Sequence, residues 1–131
     1  MIPLSDIETR IESAGTALEL LSLGEAVLEH WLDAHGKHPT DAKREGFRLL
    51  ALHRQGAQGD PSFNACRETC RELVYHYNLI TLDPDHPETE KRLRLARMVA
   101  KHLFLFVSGK MEVDGLGEFC CSSRPLRAQS G

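Results

Sequence analysis

The sequence predicts an all-α fold, a bundle of about five helices with a short C-terminal tail containing glycine and cysteine. Apolar residues recur every three or four positions in five segments, which is the period of a helix with one buried face. Capping residues precede these segments, and glycine or proline separates most of them. Since the connections are short, we expect the helices to pack as one bundle over residues 1–109, with residues 110–131 as the tail.

Two capping boxes predict the first two helices. In such a box a serine oxygen accepts an early backbone N–H group, and a glutamate three residues later bonds back to the cap. The box at residues 5–8 begins a helix whose apolar stripe runs to Leu21. The box at residues 22–25 begins the second helix, which ends at Gly36.

Thr40 is the predicted cap of a third helix that ends near Gly56. Asp60 followed by proline is typical of a helix start, and it predicts a fourth helix that runs to about Ile80. A fifth helix is predicted from residues 87–88 to Gly109, and its second half is apolar nearly all round. We expect residues 113–119 to form a short hairpin or a docked loop.

Length, composition and charge exclude several classes of protein. The 131 residues are 41% hydrophobic and 27% charged, which fits one globular domain and excludes collagen, long disorder and a dense disulfide scaffold. No secretory signal or membrane-length apolar segment is recognisable, which favours the cytoplasm. Residues 1–36 carry seven acidic and one basic residue, net -6, and the remainder has net +3.

The four cysteines are the best chemical clue in the sequence. Cys66 and Cys70 lie one helical turn apart, and Cys120 and Cys121 are adjacent in the glycine-flanked tail. Four thiolates can close a zinc site or hold an iron–sulfur cluster. Thiol exchange between the helical pair and the tail is a second interpretation, and burial of the helical pair in the core is a third.

The fifth helix carries two further candidate surfaces. A helix that is apolar on all sides is either central in a bundle or part of a subunit contact, so we predict an interface at Leu103, Phe104, Phe106 and Val107. Its basic residues could face an anionic partner, and they are Lys91, Arg92, Arg94 and Arg97. Nucleic acid is disfavoured as that partner, because aromatic residues for base stacking are missing.

Histidines and carboxylates form weaker patterns. Glu68, Glu72 and His76 follow a spacing of four and predict a solvent-facing row on the fourth helix. His102 lies on the most apolar helix, where we expect a buried ring with a hydrogen-bond partner.

No catalytic motif is recognisable. The sequence has no phosphate-binding glycine loop, no nucleophile elbow and no HExxH motif. The leading hypothesis is therefore a small cytoplasmic accessory or regulatory protein that acts through contacts with another protein or with itself. The alternative is a metal-binding or iron–sulfur protein, or a thiol redox sensor, that uses the four cysteines.

Overall fold

The computed structural model describes residues 2–115, and these residues form the predicted all-α bundle. Five α-helices lie in this part of the chain: α1 Leu4–Ser13, α2 Ala17–Ala34, α3 Arg48–Ala57, α4 Arg67–Leu82 and α5 Thr89–Val113. A 3-10 helix, Pro61–Cys66, leads into α4. Within the described residues, each helix is too short or too polar to cross a lipid bilayer.

Helices α2 and α5 form the centre of the bundle. Helix α2 contacts every other helix, and α5 packs against α1, α2 and α4. The helices pack closely at Gly24 of α2, where an added Cβ would lie 2.8 Å from Leu73 Cδ2 and 3.3 Å from Leu49 Cδ1. A side chain from α5, Leu103, lies 3.7 Å from the same point. Four helices therefore meet around a position that has no side chain.

Helix α1 forms where the apolar spacing predicts it, although its start and end differ. It begins at Leu4, one residue before the predicted cap Ser5, and no side chain caps this end. Ile7 and Ile11 are fully buried, as the stripe predicts. Leu18, which the same stripe assigned to the buried face, is 61% exposed because the helix has already ended and α2 begins in a new direction.

The predicted cap of the second helix is wrong. Ser22 lies inside α2, and the cap is Thr16, whose Oγ1 accepts a hydrogen bond from the backbone N–H of Glu19 at 3.1 Å. The Glu19 carboxylate in turn accepts the N–H of Gly15 at 3.2 Å. Thr16 and Ser22 both match the capping pattern. The backbone is extended at Ala14, so α1 ends there and Thr16 is the cap of the next helix.

The predicted helix start at Thr40 is also wrong. Its Oγ1 accepts the backbone N–H two residues later, which closes a local turn. Arg44 and Phe47 exchange backbone hydrogen bonds of 3.0 Å around a tight turn. The two residues of that turn, Glu45 and Gly46, have positive φ angles of 54° and 87°. A right-handed helix cannot pass through two such residues, so α3 begins only at residue 48.

Arg48 holds the non-helical segment before α3 against α2. Its Nε donates to the carbonyl of Thr40 at 2.8 Å. Its two Nη atoms lie 3.4 Å from a carboxylate oxygen of Glu25 and 3.2 Å from one of Glu29. Partial burial raises the pKa of Glu25 although Arg48 opposes the shift. Glu25, which the sequence placed in a capping box, serves instead to hold this loop on the bundle.

Helix α5 continues through Gly109, where the sequence predicted its end. It reaches residue 113, so the first four residues of the predicted tail are helical. Met111 is buried, and Nζ of Lys110 donates to Ser62 Oγ at 2.7 Å. These tertiary contacts offset the low helix propensity of glycine. The predicted hairpin or loop falls on residues 113–119, of which 116–119 lie outside the described residues.

Candidate functional site

Cys66 and Cys70 lie at the junction between the 3-10 helix and α4. The sequence predicted one continuous helix here, but the 3-10 helix ends at Cys66, which is the N-cap residue of α4. Cys70 follows one turn later, and the two side chains are 1% and 0% exposed. Both cysteines are free thiols.

The other two predicted metal ligands, Cys120 and Cys121, lie outside the described residues. The zinc or iron–sulfur site built from all four cysteines therefore stays a prediction. Within residues 2–115, no group of three or more histidine, cysteine or acidic side chains is placed to hold a metal ion. The helical pair can supply two sulfur ligands from this part of the chain.

The two thiols of the helical pair are electrostatically unequal. A hydrogen bond from Cys70, assisted by the nearby ring of His53, lowers the pKa of Cys66 to about 6, although burial opposes the shift. The same hydrogen bond and burial raise the pKa of the Cys70 thiol. The position at the N-terminus of α4 also favours a negative charge on Cys66. Cys66 is thus the more acidic of the two thiols and Cys70 the less acidic.

An aromatic stack supports this site from the side of α3. Trp31 and Phe63 are stacked with 4.5 Å between ring centroids, and His53 stacks on Phe63 at 5.6 Å. The carbonyl of Phe63 is 3.3 Å from Nε2 of His53 and accepts the Cys66 thiol at 3.2 Å when the thiol is protonated. The stack fixes the imidazole beside the sulfur.

Sequence reasoning missed His53 as a member of this site. It is 6% exposed and lies on the buried side of α3, four residues after Leu49. That spacing was the available signal, because a histidine in an apolar stripe needs a polar partner. Its partner could not be read from the sequence, since only the 3-10 helix brings Cys66 back towards α3.

The predicted basic face of the fifth helix is divided in the structure. Arg97 Nε donates to the carbonyl of Ala14 at 2.9 Å and so satisfies the end of α1. A guanidinium nitrogen of Arg92 lies 3.4 Å from the ring of His86. Lys91 and Arg94 are exposed. Arg94 and Arg97 line the same groove between α1 and α5, and the anionic-partner surface stays a prediction.

The predicted interface residues of α5 lie mostly in the chain's own core. Leu103, Phe104 and Val107 are buried, and Phe106 is partly buried with its ring 6.4 Å from that of Phe63. The large apolar side chains of α5 that face solvent are different ones, and they are Leu95, Met98, Leu105 and Val113. The first three recur at helical spacing on one outer face.

The histidine predictions are reversed by the packing of α4 against α5. His76 was expected to face solvent, but it is 9% exposed, and its buried Nδ1 has no hydrogen-bond partner among residues 2–115. His102 was expected to be buried and is exposed. Both rings line a groove of about 300 Å³ between the two helices, together with Glu72.

Comparisons of the chain with protein-family models, with curated proteins and with solved structures found no match in any of the three.

Proposed function

We propose that this protein is a thiol redox protein in which Cys66 is the reactive thiolate and Cys70 the resolving thiol. The observation that carries the proposal is the placement of two buried thiols one turn apart at the start of α4, beside the ring of His53. Their pKa values are shifted in opposite directions. A thiolate is the nucleophile in thiol chemistry, and the protonated neighbour keeps its proton until the second step.

The oxidant that fits this site is a small peroxide. Only 1% of the Cys66 surface is exposed, so a protein disulfide has no direct access to the sulfur, whereas a water-sized molecule needs little opening. The Cys66 thiolate attacks one peroxide oxygen, an S–O bond forms, the O–O bond breaks and hydroxide leaves. Cys66 becomes a sulfenic acid, and its oxygen is the leaving group of the next step.

In the second step the Cys70 sulfur attacks the Cys66 sulfur. The S–S bond forms, the S–O bond breaks, and the departing hydroxide takes the Cys70 proton and becomes water. In total two thiols lose two electrons and hydrogen peroxide is reduced to two waters. His53 lies beside Cys66 and stabilises the thiolate form of Cys66.

Oxidation of the pair is testable in a protein without the tail cysteines. In a Cys120→Ser/Cys121→Ser background, we expect hydrogen peroxide to produce a Cys66–Cys70 disulfide, detected by peptide mass spectrometry and reversed by a dithiol. The rate should rise with pH through about 6, because only the Cys66 thiolate reacts. Cys70→Ala cannot form the disulfide, so oxidation of its Cys66 is followed by trapping the sulfenic acid. The midpoint of that rate should move towards the value of about 8.5 of an ordinary thiol, because the hydrogen bond is lost.

A matched control is His38→Ala, which removes an exposed imidazole outside the stack of Trp31, Phe63 and His53, whereas His53→Ala removes the one beside Cys66. Only the second change should raise the midpoint. If both thiols stay reduced under peroxide until the protein is unfolded, the pair is a core element and the redox proposal is wrong.

We also propose self-association through the outer face of α5, defined by Leu95, Met98 and Leu105. These side chains are 38%, 63% and 52% exposed. Met98 lies between two grooves, one towards α4 that contains Glu72 and one towards α1 that contains Arg94. A parallel two-fold pairing of α5 places the acidic flank of one copy against the basic flank of the other, and this complementarity favours a second copy as the occupant.

Sedimentation velocity tests this second proposal. Wild-type protein should sediment as a dimer, and Met98→Glu should produce a helical monomer, because it puts a charge in the centre of the apolar face. Leu82→Glu is the control, since Leu82 is 84% exposed at the end of α4, away from the outer face of α5. A wild type that remains monomeric at every concentration would rule out the dimer.

A further inference from the structure

An open cleft with a volume of about 560 Å³ lies between α3 and the start of α4. Four arginines line it, and they come from three separate segments of the chain: Arg44, Arg54, Arg67 and Arg71. His53 and Asn64 contribute further polar groups, and Glu68 is the one carboxylate among its lining residues. The cleft is distinct from the basic positions that the sequence singled out on α5.

Two of the four guanidinium groups are already paired. Arg71 donates to both carboxylate oxygens of Glu45, at 2.7 and 3.4 Å, and Arg44 lies 3.8 Å from the same carboxylate. This contact lowers the pKa of Glu45 and keeps it ionised. Glu45 itself has a positive φ, so the turn that carries Arg44 is held in one conformation at the edge of the cleft.

The other two guanidinium groups have no such partner. Within residues 2–115, Arg54 and Arg67 form neither a hydrogen bond nor an ion pair. Their guanidinium groups line the same cleft as the positive charges of Arg44 and Arg71. Glu45 offsets the charges of Arg44 and Arg71 and part of the charge of Arg67. The excess positive charge of the cleft therefore lies at Arg54 and Arg67, whose unpaired donors can bind an anion.

The remaining lining residues indicate what kind of anion fits. Arg67 is the first residue of α4, so the partial positive charge of this helix end adds to that of the guanidinium groups. Leu50 and Ala57 give the cleft an apolar part, while Asn64 and Glu68 can accept hydrogen bonds from hydroxyl or amine groups. Such a lining suits a small organic dianion.

We propose that this cleft binds a small organic dianion, with its charged end on Arg54 and Arg67. Guanidinium groups form paired hydrogen bonds with phosphate and carboxylate oxygens alike, so a phosphate monoester and a dicarboxylate are the two sources of this chemistry. The site is a bounded cleft and not a stripe along the molecule, which favours a small ligand over a nucleic acid. The proposal does not depend on the redox role of the cysteines.

Isothermal titration calorimetry with a nucleoside monophosphate, with succinate and with inorganic phosphate tests the site. We expect submillimolar binding of at least one organic dianion, and the preferred probe identifies phosphate or carboxylate as the source. Arg54→Ala and Arg67→Ala should each weaken binding about tenfold or more, the effect of losing one charge-assisted hydrogen bond. Binding should also weaken as salt is raised.

Two controls make the result decisive. Arg10→Ala removes an equal charge from an exposed position on α1 and should leave binding unchanged. Cys66→Ser/Cys70→Ser should also bind normally, which separates this site from the redox proposal. Equal loss in the Arg10 and Arg54 variants, no binding of any probe, or a single-stranded oligonucleotide that binds far more tightly and displaces the small anions would overturn the proposal.

Discussion

Gly56 and Gly109 are both helical glycines, but a methyl group added at each would meet very different surroundings. At Gly56 the new Cβ would lie 2.7 Å from Cε2 of Phe63 and 3.2 Å from the ring of Trp31. These rings are stacked and cannot move separately. At Gly109 no atom of the described residues lies within 4 Å of the new Cβ, apart from its chain neighbours and the backbone of its own helix. The effect of a substitution in this bundle therefore depends on the atoms that the new side chain contacts, and not on whether the residue lies in a helix.

We predict opposite effects for the same substitution at these two glycines. Gly56→Ala should lower the free energy of unfolding by about 1–3 kcal/mol, because the methyl group displaces the Phe63 ring that supports the redox site. Gly109→Ala should raise it by about 0.5–1 kcal/mol, because alanine is the better helix former. Urea denaturation monitored by circular dichroism measures both. Equal effects at the two sites would contradict the packing argument.

The cysteine pair illustrates the same point at the level of chemistry. The sequence placed two thiols one turn apart, and that spacing was sufficient to identify them as a candidate site. It did not indicate that Cys66 would be the N-cap residue of α4 or that His53 would lie beside it. Their inequality arises from contacts between α3 and the 3-10 helix, which sequence spacing does not encode.

At the level of helices and loops, the positions of the helices were predictable and several of their ends were not. Short polar patterns such as Ser-x-x-Glu occur more often than helix starts do. Which one is used depends on where the backbone can break, and that depends on the contacts of the neighbouring turns. Thr16 and Ser22 are the clearest case, because both fit the pattern and only Thr16 is a cap.

Substitution of the two candidate caps distinguishes them. Thr16→Ala should lower the free energy of unfolding by about 1 kcal/mol, because the N–H of Glu19 loses its partner, and Thr16→Ser should restore most of it. Ser22→Ala, at an exposed site inside α2, should be neutral or slightly stabilising. Thermal unfolding followed by circular dichroism reports both changes. A larger loss from Ser22→Ala than from Thr16→Ala would show that the assignment of the cap is incorrect.

At the scale of the whole molecule, ion pairs connect the acidic first third of the chain to the rest. Lys101 of α5 lies 2.8 Å from a carboxylate oxygen of Glu12 and 4.0 Å from one of Glu8, both on α1. Arg48 makes the corresponding contacts to α2. Part of the charge asymmetry that suggested an external partner is thus neutralised inside the molecule. Exposed pairs contribute at most about 1 kcal/mol each, so they orient helices more than they stabilise them.

The apolar surface of α5 is likewise divided by the whole fold. One side of the helix is buried against α1, α2 and α4. This burial explains why apolar residues occur all round the second half of the helix. What remains outside is the face with Leu95, Met98 and Leu105. The dimer proposed above can use only this face, because the residues first predicted for an interface are already covered.

The sequence by itself determined the helical class, the approximate position of each helix and most of the buried stripes. These features depend on local periodicity, which neighbouring residues carry. The tertiary structure decided which capping pattern is used, where α5 ends, and which of His76 and His102 is buried. It also brought His53 to Cys66 and collected four arginines around one cleft. These features depend on contacts between residues that are distant in the chain, and no local pattern records such contacts.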